Sequence, residues 1–399
     1  MELLAPAGNF EKLKYAIHYG ADAVYASGKH FGLRAQSANF SDEELQEATQ
    51  FCHRQQKKIY VTVNIFAHNR SIDEIGSHLR FLESIQVDAL IISDPGIFRL
   101  AKKYAKSIPI HISTQANVTS WSSAKFWSEQ GAKRIILARE LSLPEMREIK
   151  KMVPEMELEM FAHGAMCMAY SGRCLLSSYL NARDANQGDC SQPCRWDYAL
   201  VERTRPNQEF PIEEDAYGTY IFNSKDLCLA RQIKTIMESD INSVKIEGRM
   251  KSIYYAANVT RIYRAIIDAA KEEQPIPESW IEESNKISHR HYTEGFFHGF
   301  TTESTQTYES SAYIREYQYL GNIVSTENGL AKIEMKAKFS SGDEIEFIFP
   351  KLSDDFSMIV TEMYDEENQP ITFTKPNTTI SLPVSGSLPK WGIIRKKIQ

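Results

Sequence analysis

From Met1 to about Ala270, short apolar runs alternate with amphipathic stretches, and this alternation is the strongest constraint on what the chain can fold into. The runs that read as strands are Glu2 to Leu4, Ala23 to Tyr25, Lys58 to Val63, Ala89 to Ile92, Ile108 to Ile112, Arg134 to Leu137, Leu158 to Phe161 and Ser243 to Ile246. Between them NFEKLKYAIHYG, SDEELQEATQFCHRQ, SIDEIGSHLRFLESI, GIFRLAKKYAKS, SSAKFWSEQG and LPEMREIKKMV carry apolar residues at three- and four-residue spacing, the period of a helix with one buried face. Eight strand-helix units over roughly 270 residues predict a (β/α)8 TIM-like barrel rather than a doubly wound sheet.

The residues just after the strands point to the same architecture. Pro6-Ala7-Gly8-Asn9 comes after the first, Asn64 and His68 after the third, Ser93-Asp94 after the fourth and Ser113-Thr114-Gln115 after the fifth. Arg139-Glu140 comes after the sixth, His163 after the seventh and Glu247-Gly248-Arg249 after the eighth. In a barrel of this kind all of these line the C-terminal face, where catalytic groups lie. Asp94 before Pro95, and Ser142 before Leu143-Pro144, read as helix caps instead.

The barrel is expected over residues 1–275, with a cysteine-bearing insertion over about 163–228. Within it, WDYALVERTRPNQEFPIEEDAYG reads as a hairpin with a polar tip, and Asn223-Ser224-Lys225-Asp226 as the opening of a helix that carries Cys228. Pro275 and Pro277 mark a boundary, and residues 276–310 read as a connector with an aromatic and His-rich patch from His289 to His298. Over 311–399 the pattern changes to short strands bounded by turn signals at Asn328-Gly329 and Ser341-Gly342-Asp343. In LAKIEMKAKF, Ile333, Met335, Ala337 and Phe339 alternate with charged residues, which predicts a small antiparallel β-barrel domain with its polar face outward. KWGIIRKKIQ then reads as a local basic tail.

The chain has 399 residues, 42% of them apolar and 25% charged, with a net charge of -6. That balance is ordinary for a globular enzyme. It opposes nucleic-acid binding over a broad basic face, so any RNA contact must be local. MELLAPAGNFEKL lacks the features of a signal peptide and no run of about eighteen apolar residues occurs, so the expectation is a cytoplasmic protein with no membrane association.

In a reducing compartment, clustered cysteines are metal ligands or redox groups more often than disulfides. Four of the six cysteines fall between Cys167 and Cys194; Cys167 and Cys174 are separated by six residues, Cys190 and Cys194 by three. Four thiolates suit Zn²⁺ or an iron-sulfur cluster. Structural zinc sites show two short pairs, whereas here only one pair is short, which leans toward a cluster. Cys52, alone on a helix pattern, reads as core. There is no H-E-x-x-H and no G-x-S-x-G. A nucleophile-base pair of His163 with Ser171, Ser177 or Ser178 is the peptidase reading that stays open.

The run EMFAHGAMCMAYSGRCLLS, from Glu159 to Ser177, resembles the defining motif of peptidase family U32, the collagenase-like peptidases. ELLAPAGNFEKLKYAIHYGADAVY, STQANV, GDCSQPCRWDY, FNSKDL and VKIEGRMKS resemble that family too, so the likeness covers nearly the whole chain. It implies iron-sulfur chemistry more than proteolysis. One branch, similar in length and domain content, makes 5-hydroxyuridine at the tRNA wobble position with prephenate; others act on ribosomal RNA or ubiquinone precursors. The resemblance implies a 4Fe-4S cluster on Cys167, Cys174, Cys190 and Cys194, with Cys228 as the alternative fourth ligand. It also implies tRNA and the iron-sulfur assembly machinery as partners; the oligomeric state is not legible.

On that reading, Arg139, Arg249 and Lys245 are candidates to hold a dicarboxylate such as prephenate. Lys245, inside its strand, is equally placed to line the barrel interior. Glu140, Glu247 and His163 are candidates to move protons. Gln115 and Asn64 are candidates to read the edge of a flipped-out base. The β-domain and the run Arg249, Lys251, Tyr254, Tyr255, Arg261 and Arg264 are candidates for RNA contact, against a solvated helix face as the plainer account of Arg261 and Arg264.

Overall fold

The structure, a computed structural model, describes residues 1–29, 31–32, 39–166, 177, 181, 200–201, 209–210, 213–215, 218–220, 225–299 and 313–398. It divides into two compact units, Met1–Leu13 with Ala21–Lys251 and Arg290–Tyr313, and Lys14–Gly20 with Ser252–His289 and Ile314–Gln399.

The first unit is built on parallel strands β1 (Glu2–Pro6), β2 (Ala23–Ala26), β3 (Lys58–Val63), β4 (Ala89–Ile92), β5 (Ile110–Ile112), β6 (Arg134–Ile136) and β7 (Glu157–Ala165). After the short strands β8 (Leu200–Val201), β9 (Glu209–Phe210), β10 (Glu213–Asp215), β11 (Gly218–Tyr220) and β12 (Asp226–Cys228) comes the last barrel strand, β13 (Ser243–Ile246). It pairs with both β1 and β7, which closes eight parallel strands into the TIM-like barrel. Helices Asp42–Arg54, Ile72–Ile85, Pro95–Tyr104, Trp121–Glu129 and Leu143–Met152 alternate with them. Their ends follow local chemistry. Ser41 and Glu44 form a capping box, Asp94 accepts from the Ile97 amide at 2.9 Å ahead of Pro95, and the Ser142 amide and hydroxyl both donate to Glu145. Cys52 is fully buried on its helix.

Two local expectations are corrected. β7 continues past Phe161 to Ala165, so His163 lies within the strand and not after it. Asp226, Leu227 and Cys228 form a strand rather than a helix. The reason is the same in both places. β12 runs antiparallel to β7 with Cys228 opposite His163, and β14 (Tyr292–Thr293) pairs with its other edge, so the backbone groups of both segments are satisfied by chain remote in sequence. β8 and β9 form a two-stranded antiparallel ladder where a hairpin was expected. Its tip lies outside the described residues.

In the second unit, β15 (Tyr317–Glu327), β16 (Leu330–Met335), β17 (Glu344–Ile348), β18 (Phe356–Ile359), β19 (Thr379–Pro383) and β20 (Ile393–Lys397) form an antiparallel half-barrel ordered β18-β17-β20-β15-β16-β19. Ile333, Met335, Phe339, Phe347 and Ile394 fill its core, so the alternation read in LAKIEMKAKF holds. ITFTK, residues 371–375, whose alternation reads as one of the short strands, forms none; there Phe373 makes a single bridge, to Ser340. This unit also includes helix Ile253–Lys271 and the segment to His289.

Candidate active site at the barrel mouth

Strand register decides which side chains point into the barrel. Ser243 donates to Glu2 across β13 and β1, so Ser243 and Lys245 face inward, as alternation in a strand requires. Tracing the paired residues around the barrel places Tyr25, Tyr60, Thr62, His111, Arg134, Glu157, Glu159 and Phe161 on the same side.

At the N-terminal end these groups form a buried ion network. Arg134 lies 2.8 Å from Glu157 and 3.1 Å from Glu159, and also pairs with Glu2, which accepts from the Tyr60 hydroxyl at 2.7 Å. Burial disfavours the Arg134 cation, but Glu159 and Glu2 outweigh it and hold the guanidinium protonated. His111, edge-on to Tyr60 at 4.8 Å, is held neutral, first by burial and then by the Arg134 and Lys245 charges.

Toward the C-terminal end several of the expected site residues form local pairs. The Arg139 guanidinium carbon lies 3.8 Å from the Phe161 ring centre, and a terminal nitrogen lies 3.7 Å from Glu247. The Tyr25 hydroxyl donates to the Ile246 carbonyl at 3.1 Å and lies 3.5 Å from Glu247. Arg249 is buried, with Nη1 3.4 Å from the Thr62 hydroxyl. Asn64 donates to Gln115 Oε1 at 2.7 Å, so these two amides form one unit. Glu140 has its pKa raised, first by burial, against the lowering effect of backbone hydrogen bonds and Arg139. His163 is buried on β7 with its ring 5.4 Å from that of Tyr292. Lys245 is the interior residue its strand position suggested; its Nζ is 3.4 Å from Glu159.

Sequence reading missed Tyr25, Thr62, Glu159 and Arg134 as members of this interior. A signal existed for one of them: Glu157 and Glu159 alternate with apolar residues in strand seven, which puts both carboxylates on one face.

The candidate RNA run is dispersed. Arg261 is fully buried in the second unit, 2.7 Å from both Glu283 and Asp355, and belongs neither to a solvated face nor to an RNA surface. Tyr254 and Tyr255 are buried too. Arg395 of the basic tail is buried on Glu283 and Glu346. Charge-rich segments end up inside because carboxylates of other elements meet them there.

Cys167, Cys174, Cys190 and Cys194 lie outside the described residues. Cys228 is half-buried on β12, one strand from the point where β7 leads into Met166. Among the described residues no group of three or more His, Cys, Asp and Glu is arranged to hold a metal ion. No helix among them is long and apolar enough to cross a membrane.

Residues 8–307 match the family model for peptidase family U32, and residues 315–395 match that for the U32 C-terminal domain. The chain is 41% identical over 372 residues to tRNA hydroxylation protein P1 of Bacillus subtilis, covering 92% of this chain and 87% of that one. It is 38% identical over 428 aligned positions to tRNA hydroxylation protein P of Escherichia coli, covering 97% and 94%. It is also 37% identical to the 23S rRNA 5-hydroxycytidine C2501 synthase of Escherichia coli, across 69% of this chain and 40% of that one.

Proposed function

Because the chain belongs to peptidase family U32 and carries that family's C-terminal domain, we propose that it is an RNA-modifying enzyme that hydroxylates tRNA. The observation that carries this is similarity to proteins named for tRNA hydroxylation over more than nine-tenths of the chain, 92% and 97% in the two cases. The relative named as a 5-hydroxycytidine synthase supports carbon 5 of a pyrimidine as the position modified, here a uridine at the wobble position. Ribosomal RNA is the second reading, favoured by that same relative.

We assign the cluster ligands to Cys167, Cys174, Cys190 and Cys194, with Cys228 as the alternative fourth. The donor set is all thiolate, the usual ligation of 4Fe-4S clusters, and bound there such a cluster would supply electron transfer. The protein's own groups do the rest. Arg139 and Arg249 hold the carboxylates of a dicarboxylate co-substrate, prephenate on this reading, because guanidinium pairs with carboxylate through two parallel donors. Glu140, whose pKa burial raises, Glu247 and His163 are the proton carriers. The coupled amides of Asn64 and Gln115 present donor and acceptor to the edge of an extruded base.

The test is mass spectrometry of tRNA nucleosides from cells that lack the gene, beside a strain carrying Cys174→Ala. The expected result is loss of 5-hydroxyuridine and its derivatives from both. An unchanged tRNA profile with loss of a hydroxylated base from ribosomal RNA moves the assignment to the second reading.

A further inference from the structure

Barrels of this kind are ordinarily filled by branched apolar side chains. This one instead buries Lys245, with 4% of its surface exposed, against Glu159, which has none. An ion pair kept only as filler brings no advantage in stability, since apolar residues of similar volume are often as stable or more so. Lys245 Nζ sits 4.2 Å from the Tyr25 ring centre and 5.5 Å from that of Phe161. Its carboxylate partner is shared, because Glu159 also lies 3.1 Å from Arg134. The distance of 3.4 Å from Nζ to Glu159 Oε1 marks an ion pair without a well-formed hydrogen bond. Burial lowers the amine's pKa, Arg139 adds to that, and Glu159 and Glu247 oppose it.

Position matters as much as environment. Lys245 is the penultimate residue of its strand, and Glu247, beside Arg139, stands two positions later. On the N-terminal side of the amine lie Glu159, Arg134, Glu2 and Tyr60, and on the mouth side stand Arg139 and Arg249.

Resting on the reading that this site takes a dicarboxylate co-substrate such as prephenate, which is also a 2-oxo acid, we propose that Lys245 is a nucleophile that condenses with the carbonyl carbon of a 2-oxo acid. The ammonium passes a proton to Glu159, and the freed lone pair forms the C–N bond. The carbonyl oxygen, protonated in turn, leaves as water, so ammonium and ketone become an iminium ion and one water with no change of oxidation state. The Tyr25 and Phe161 rings lie beside the nitrogen and favour its cationic forms, the ammonium at the start and the iminium at the end. Arg139 and Arg249 hold the acid's carboxylate. Glu159 acts on the step through its neighbour Lys245.

The experiment is reductive trapping on the full chain, with pyruvate and separately phenylpyruvate as probes and borohydride as reductant. It is read by intact mass and by peptide mapping. The expected result is one reduced adduct on the peptide that holds Lys245, in more than about tenfold excess over any exposed lysine such as Lys125. It disappears in Lys245→Arg, which keeps the charge. If that variant does not fold, the position of the label in the unaltered chain decides alone. Label spread over surface lysines, or no label with either probe, overturns the proposal. Trapping requires neither RNA nor cluster, so a failed trap leaves the tRNA reading standing, and an unchanged tRNA profile leaves a Lys245 adduct standing.

Discussion

Lys245 Nζ lies 3.4 Å from a carboxylate oxygen of Glu159 inside the barrel, and the two side chains are respectively 5% and 0% exposed. Glu159→Gln leaves Arg134 and Lys245 one anion short. The expected loss is roughly 3 kcal/mol of unfolding free energy, the usual cost of removing one partner from a buried pair. Urea denaturation measures it, and a loss below about 1 kcal/mol would show that the pair is not coupled to folding.

Glu283 makes the second unit sensitive to acid. Burial acts to raise its pKa, but Arg395, Arg261 and Lys286 together bring it from 4.5 to about 2. A depressed carboxylate pKa contributes stability that is present above the unfolded value and disappears as pH falls through the folded one. The contribution, roughly 3 kcal/mol at neutral pH, is therefore lost between about pH 4.5 and 2. Amide exchange over residues 314–398 across that range reads it out, and Glu283→Gln is expected to flatten the profile.

Cys52 is expected to resist alkylation in the native protein. Burial, aided by the Asp88 charge, pushes its thiol from 9.0 up to about 12, so almost no thiolate exists at pH 8. Peptide mapping after iodoacetamide treatment is expected to find Cys52 unlabelled until denaturant is added. Labelling at the rate of a free thiol would contradict its place in the core.

Gly8 is where the loop after the first strand meets the loop after the eighth. A Cβ built there would stand 2.1 Å from the Arg249 carbonyl oxygen, a backbone atom that can yield only by moving the loop. Gly8→Ala is expected to destabilise by about 1–3 kcal/mol and to displace Arg249, with tRNA hydroxylation falling in step. Wild-type activity in that variant would separate Arg249 from the reaction.

Asn64 and Gln115 share a hydrogen bond of 2.7 Å at the barrel mouth. Asn64→Ala or Gln115→Ala is expected to cost about 1 kcal/mol of stability and at least tenfold in turnover, since an unpaired amide no longer presents a fixed edge. The double variant is expected to lose no more turnover than the worse single one. Additive losses would mean that the two residues act separately.

Local patterning already carries the alternation of eight strands with helices, the change to antiparallel strands after the connector, and the polar residues at the ends of the barrel strands. Those are local signals: periods of two and of about 3.6, caps such as Asp94 and Ser142, and turn residues act over a few positions and are legible there. Tertiary structure alone decided which charges meet. Arg261 and Arg395 carry the pattern of exposed cations, yet both are buried because Glu283, from a different segment, stands between them. Asp226 carries a cap signal, yet it extends as a strand because Ala165 and Tyr292 pair with its backbone from either side. Lys245 met its carboxylate partner only when barrel closure set β7 beside β13 and brought Glu159 to it. Burial and pairing depend on what a segment touches, and only closure of the chain determines that.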